Sequence, residues 1–303
     1  MELIVLGTSS ALPTSERYPS AHVLNVHERF FLIDCGEGTQ MQLRRNRVTL
    51  SKIDNIFISH LHGDHIFGLY GLISTYCLLK RETPLTIYAP GQLGEKLLPH
   101  LNDFGINPEF KLTFVNLEGD KPVEVFSNRS LTVTAFPLEH RIPTYGFLFK
   151  EKPRERNIIK EYIDKYNISV PHIKAIKKGA DFVTEDGVCL KNEEITTPGP
   201  PPLSYAYCSD TMYTSGLAPI IKDVTLLYHE ATYDQAHIEM AISNYHSTAK
   251  EAARVAKDAG AHKLLIGHFS SRFKNADHLV DEAREIFSET YAAEEGKSYI
   301  VGE

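Results

Sequence analysis

Short runs of β-branched and aromatic residues recur along the chain, each bounded by turn residues. The pattern predicts strands over residues 2–6, 23–26, 30–34, 55–59, 85–89, 111–115, 130–136 and 145–149. A second series is predicted at 203–208, 224–228, 263–267 and 298–301. Helical spacing of apolar positions predicts helices over 39–47, 67–79, 93–104, 247–259 and 275–290. Ser247-Thr248-Ala249-Lys250-Glu251 opens one of these with an N-cap, and Gly260 closes it. Strands and helices alternate in both halves, yet several strands run consecutively. That order implies layered sheets faced by helices rather than one doubly wound parallel sheet. Pro198-Gly199-Pro200-Pro201-Pro202 reads as a stiff turn or short extended segment leading into the strand at 203.

Composition narrows the class. The chain has 303 residues, 42% hydrophobic and 23% charged, enough for a large core and too apolar for a disordered or fibrous chain. No run approaches the roughly 18 to 20 apolar residues of a membrane-spanning helix, so no membrane association is expected. The opening Met1-Glu2-Leu3-Ile4-Val5-Leu6-Gly7 lacks the basic flank of a signal peptide. Cys35, Cys77, Cys189 and Cys208 show no CxxC spacing, which predicts neither a disulfide framework nor a zinc ribbon, and points to a reducing, cytoplasmic setting. A net charge of −7 argues against a surface that coats nucleic acid everywhere. It leaves room for a local patch: residues 150–178 carry nine Lys/Arg against four acids, inside a long segment, 150–195, of different character.

The chemistry concentrates in His60-Leu61-His62-Gly63-Asp64-His65, between an apolar run and a predicted helix. Three imidazoles and a carboxylate so close together need a cation or other partners to be buried. Their donor types suit Zn²⁺ best, ahead of Mn²⁺ or Fe²⁺. His140, Asp210 and His268 each follow a predicted strand, so all could project into one cleft at the carboxyl edge of a sheet. Individually they read as a loop histidine, a turn residue and a core histidine. Together with the cluster they make seven donors, more than one tetrahedral ion uses, which suits two metals. Two such cations about 3.5–4 Å apart can acidify a water and clamp a phosphoryl oxygen. Thioester or lactam hydrolysis could use the same cage, so the donors alone leave the substrate open.

The His-x-His-x-Asp-His pattern followed by His140, Asp210 and His268 resembles the metallo-β-lactamase superfamily. More narrowly, the chain resembles the short-form ribonuclease Z family over essentially its whole length. The markers are Leu6-Gly7-Thr8, the stretch from Phe31 through Asp34-Cys35-Gly36-Glu37-Gly38-Thr39-Gln40, and the Ser59–His65 cluster. Ser209-Asp210-Thr211, His229-Glu230-Ala231-Thr232, Tyr245-His246-Ser247-Thr248 and His268-Phe269-Ser270-Ser271-Arg272-Phe273 complete them. The resemblance implies one four-layer αβ/βα sandwich domain over 1–303, with 150–195 as an inserted tRNA-binding arm. It implies a tRNA 3′ endonuclease holding two Zn²⁺ per subunit, with Mn²⁺ as a possible substitute. His60, His62 and His140 would hold one ion, Asp64, His65 and His268 the other, and Asp210 would bridge them. Asp34 would orient a ligating imidazole. Asp64 would also act as general base, and His246 paired with Glu230 would protonate the leaving 3′ oxygen. Lys174, Lys177 and Lys178 of the arm would contact RNA. The implied partners are precursor tRNA and a second copy of the chain in a homodimer, with no DNA.

Two other readings compete. A small-molecule metallohydrolase, thioesterase or arylsulfatase-like, would use the same cage but has no need of a basic arm. A tRNA-binding module with a vestigial site would have no reason to keep all seven donors.

Overall fold

A computed structural model describes residues 1–303. Its framework is two seven-stranded sheets. The first runs in the spatial order Ser298–Ile300, Glu2–Gly7, Ala21–Val26, Arg29–Ile33, Ile53–Phe57, Leu85–Pro90, Leu112–Leu117. The second runs Thr290–Ala292, Lys263–Gly267, Leu226–Glu230, Ser204–Cys208, Thr144–Glu151, Leu131–Leu138, Val123–Ser127. Strands from Arg29–Ile33 to Leu112–Leu117 pair in parallel, as do those from Ser204–Cys208 to Thr290–Ala292. Parallel strands covered on both faces become continuous apolar runs, and Ser204–Cys208 and Leu226–Glu230 are buried at every position.

Helices cover each sheet on its outer side. Leu43, Leu69, Leu72, Ile73 and Leu97 bring Thr39–Arg45, Gly68–Leu78 and Leu93–Asp103 onto the first sheet. Small residues of Ala249–Ala259 pack with Leu217–Ile220 and Asp277–Arg284 on the second. Between the sheets lies an aromatic layer. Phe57 meets Phe147 and Phe149 at ring separations of 5.4 and 5.3 Å, and Tyr207 stacks on Tyr228 at 5.1 Å. The result is the expected four-layer αβ/βα sandwich.

The helix expected from Ser247 starts at Ala249, with Thr248 as its cap. Thr248 and Glu251 form a reciprocal capping box, and Gly260 ends the helix at φ 64°. Ser247 is taken by another partner: its hydroxyl donates to Thr211 O at 2.6 Å. The helix expected over 275–290 is shorter, Asp277–Arg284, because Thr290–Ala292 pairs with Leu264–Ile266 as an edge strand. The strand Val123–Ser127 and the helix Ile238–Asn244 had no counterpart in the hydrophobic pattern.

Lys150–Pro202 and Ser127–Thr132 form a separate contact unit, wider than the 150–195 segment marked by composition. It contains the helices Lys160–Tyr166 and Val170–Lys177 and two two-stranded ribbons. Ile168, Ile176, Phe182 and Ile195 make a small core. Asn192 Nδ2 pins the second helix by donating to Ile176 O and Ala180 O at 2.7 and 2.8 Å. No helix of the chain is long and apolar enough to cross a membrane.

Candidate metal centre

The donors come from chain segments that leave the carboxyl ends of strands. Ile53–Phe57 leads into Ser59 and the tight turn of His60 to His65, closed by the one-turn helix Gly63–Ile66. Asp34 follows Arg29–Ile33, His140 follows Leu131–Leu138, Asp210 follows Ser204–Cys208, and His268 follows Lys263–Gly267. Asp34, Asp210 and His268 adopt left-handed φ of 56°, 36° and 58°, and Tyr245, just before His246, 58°. Such conformations cost about 1–3 kcal/mol each and persist where surrounding structure over-determines them. One such constraint is visible at Gly267: a Cβ there would lie 2.4 Å from the Tyr228 hydroxyl.

All seven expected donors converge. His60, His62, His140 and Asp210 form one group, and Asp64, His65 and His268 a second; within each, the ligand atoms lie within 4.8 Å of one another. Asp210 faces both: Oδ2 is 3.5 Å from His60 Nε2 and 3.9 Å from His140 Nε2, while Oδ1 is 3.3 Å from His65 Nε2 and 3.1 Å from His268 Nε2. Asp64 Oδ2 lies 3.3 Å from His65 Nε2 and accepts from the Ala11 amide at 3.0 Å. Tetrahedral zinc with bonds of about 2.0–2.1 Å separates its donor atoms by about 3.3 Å, close to these spacings. Moreover, His65 Nε2 and His268 Nε2 are buried with no hydrogen-bond partner, the state expected of lone pairs reserved for an ion. The donor set therefore fits divalent metal.

Around the donors sits a rigid polar layer. Asp34, fully buried, accepts from His65 Nδ1 at 2.7 Å, the Tyr207 hydroxyl at 2.7 Å, and Ser59 N and Oγ at 2.7 and 2.9 Å. Burial alone would lower the His65 pKa, but Asp210, Asp64 and Asp34 outweigh it and raise it well above the ordinary value. His60, equally buried and surrounded by imidazoles, is pushed well below.

Beside the cage lies a second polar pair. Glu230 Oε1 accepts from His246 Nδ1 at 2.8 Å and from Thr211 N at 2.9 Å. Burial opposes the charge on His246, yet the Glu230 carboxylate raises its pKa to about 9. The Glu230 contact thus favours the protonated ring. His246 also stands within 4.8 Å of donor atoms of Asp210 and His268. With His62, Asp64, His140 and Arg141 it lines an open cleft of about 460 Å³. Arg141 Nη2 donates to Ser243 O and Asn244 Oδ1, holding the turn before His246. Lys174 and Lys178 are exposed and Lys177 half-buried, on and just after the second helix of the separate unit.

Ser59, Thr232 and Tyr207 also belong to this site, although the motifs around the first two imply no role for them and the pattern at Tyr207 predicts only a strand. Hydroxyl residues within two positions of a His or carboxylate at a strand end are the available signal for the first two. Nothing local marks Tyr207, because its partner Asp34 is remote in sequence.

A cage of imidazoles and carboxylates at strand ends of an αβ/βα sandwich defines a metallohydrolase of the metallo-β-lactamase fold. A family model described as anti-Pycsar protein Apyc1 matches residues 1–159, which include His60–His65 and His140 but stop short of Asp210, Glu230, His246 and His268. The chain is 45% identical to ribonuclease Z of Bacteroides fragilis, across 97% of this chain and 97% of that one. It is 46% identical to ribonuclease Z of Bacteroides thetaiotaomicron, across 97% and 93%. The crystal structure of human tRNase Z, short form, superposes with a TM-score of 0.72 at 26% identity, covering 99% of both chains. The chain belongs to the ribonuclease Z family, and its first half also falls within the Apyc1 family model.

Proposed function

We propose that the chain is a zinc-dependent endoribonuclease that removes the 3′ trailer from precursor tRNA and leaves a 3′-OH on the tRNA. The observation that carries this reading is the Glu230–His246 pair, 2.8 Å apart and set beside seven convergent metal donors, in a chain 45% identical to ribonuclease Z. His60, His62 and His140 would hold one ion and Asp64, His65 and His268 the other, with Asp210 facing both groups. Two Zn²⁺ ions, or Mn²⁺ in their place, supply when bound the polarisation that makes water attack phosphorus at neutral pH.

The chain's own groups do the rest. The Asp64 carboxylate takes the proton of the attacking water. His246, charged through Glu230, delivers its proton to the 3′ oxygen as the P–O bond to the trailer breaks, so no free alkoxide forms. Asp34 keeps His65 oriented throughout. The cleft is open, as a polymer substrate requires. Within the inserted unit, the basic stretch 150–178, with Lys174, Lys177 and Lys178, contacts tRNA phosphates that position the substrate without reading its sequence. The reading extends to a cytoplasmic homodimer that acts on RNA rather than DNA.

The test is a side-by-side assay of a 3′-extended precursor tRNA, a thioester and a simple phosphodiester. Endonucleolytic cleavage of the precursor at the tRNA 3′ end, with the thioester untouched, is the expected result. Turnover of the thioester alone would replace this reading with a small-molecule metallohydrolase.

A further inference from the structure

An imidazole that gives one nitrogen to a metal must place the other against a partner that holds the ring and fixes its tautomer. For His65 the partner is a carboxylate, Asp34. For two other histidines of the cage it is a hydroxyl. His60 Nδ1 lies 3.0 Å from Ser59 Oγ, which donates to Asp34 Oδ2 at 2.9 Å. His268 Nδ1 lies 3.0 Å from Thr232 Oγ1, which donates to Glu230 Oε2 at 2.6 Å. Each hydroxyl owns a single proton. Thr232 Oγ1 also stands 3.0 Å from His268 O, but the shorter contact to a charged acceptor claims the proton. The hydroxyl oxygen then accepts from the ring N–H, and Nε2 keeps its lone pair toward the cage. Ser59, Thr232, Asp34 and Glu230 are all buried, so water does not compete for these bonds.

We propose that Ser59 and Thr232 are a matched pair of positioning residues, one for each ion, each connecting a ligating histidine to a buried carboxylate through its hydroxyl. The proposal rests on the two-ion reading above. It gives Glu230 two tasks. Oε1 accepts from His246, while Oε2, through Thr232, holds His268. The group that charges the proton donor thus also aims a ligand of the second ion, and the two parts of the site are assembled by one carboxylate.

The experiment measures zinc affinity of the full-length chain by competition with a chromophoric chelator, together with bound-metal content, for wild type and four variants. Thr232→Val, which keeps the shape and loses the hydroxyl, is expected to bind one ion as wild type does and the second about 10–100-fold more weakly. Ser59→Ala is expected to show the same loss for one ion. Thr232→Ser restores wild-type affinity, since only the hydroxyl matters. Thr225→Val keeps both affinities, because that buried hydroxyl meets Ser204 at the opposite end of the strands. Unchanged affinity in Thr232→Val, a Thr232→Ser variant as weak as Thr232→Val, or equal weakening in Thr225→Val would each overturn the proposal. A wild-type chain binding fewer than two ions would overturn the two-ion reading itself, and the proposal with it.

Discussion

Asp34 receives four hydrogen bonds from Ser59, His65 and Tyr207, and Glu230 receives four from Thr211, Thr232 and His246. In the unit formed by Lys150–Pro202, Lys174 and Lys178 stand in solvent on a fold whose buried core is only Ile168, Ile176, Phe182 and Ile195. Both regions recognise phosphate under the proposed function, but by different physics. In the metal centre charges act at short range with little water between them, so each position is irreplaceable. On the basic stretch 150–178, charges act through solvent, are screened by salt, and share the work.

That contrast can be broken by substitution, and the effects should fall in order. Asp210→Ala removes the only carboxylate that faces both donor groups. Metal content should drop and precursor cleavage fall by more than the about 100-fold typical of losing a supporting partner; retention of both ions would deny Asp210 its shared place. His246→Ala should keep its metal and lose about 10²–10⁴-fold in kcat, since only the proton donor is gone. Unaltered turnover would remove His246 from the reaction.

The same histidine carries a pH signature. Its pKa is raised from 6.5 to about 9, so its stabilisation is complete below about 6.5 and is lost as pH rises through about 9. Denaturant titrations should show stability declining over that window by about 3 kcal/mol at most, and His246→Ala should flatten the decline. An identical slope in the variant would show that the ring gains nothing from Glu230.

Changing Lys174, Lys177 and Lys178 together to Glu should raise KM for precursor tRNA and leave a small phosphodiester unaffected. The salt dependence of tRNA binding should lose about one unit of slope per lysine that touches a phosphate. Equal loss on both substrates would move these lysines out of recognition. The smallest effect should come from Tyr207→Phe, which removes one donor from the buried Asp34 carboxylate. About 2 kcal/mol of stability should be lost, read as a lower Tm. No change in Tm would mean that the remaining three hydrogen bonds already satisfy Asp34.

The strands that carry the site were visible as short apolar runs bounded by turn residues, most plainly Ser204–Cys208 and Leu226–Glu230, which are buried at every position. Lys263–Gly267 begins and ends where the pattern placed it. The edge strand Thr290–Ala292 was not predicted, and its first residue fell at the end of the helix expected over 275–290, since three residues carry too little alternation to show a strand. Helices of seven and eight residues, Lys160–Tyr166 and Val170–Lys177, escaped for a related reason. Each has about two turns, too few to show a face, and each is held by packing rather than propensity. Within the site, His60–His65 was legible because its donors share one turn. Asp210 and His268 were legible only as polar residues ending apolar runs. Ser59 and Thr232 carried only the weaker signal of a hydroxyl near a strand-end His or carboxylate, and Tyr207 none, because its partner Asp34 is remote in sequence.

What the amino-acid order determines alone is local: which residues can be donors, where strands stop, and how Thr248 and Glu251 start a helix. Hydrogen-bond patterns and side-chain periods span only a few residues, so they can be read without the rest of the chain. Convergence belongs to the tertiary structure. Parallel register sets Cys208 beside His229 and Glu230 beside Gly267, which brings Asp210, Glu230 and His268 to one edge. Asp210 and His268 take left-handed φ at that edge, and Asp34 at the end of its own strand. Asp and His tolerate this conformation better than most residues, and it is the packed surroundings that select it there.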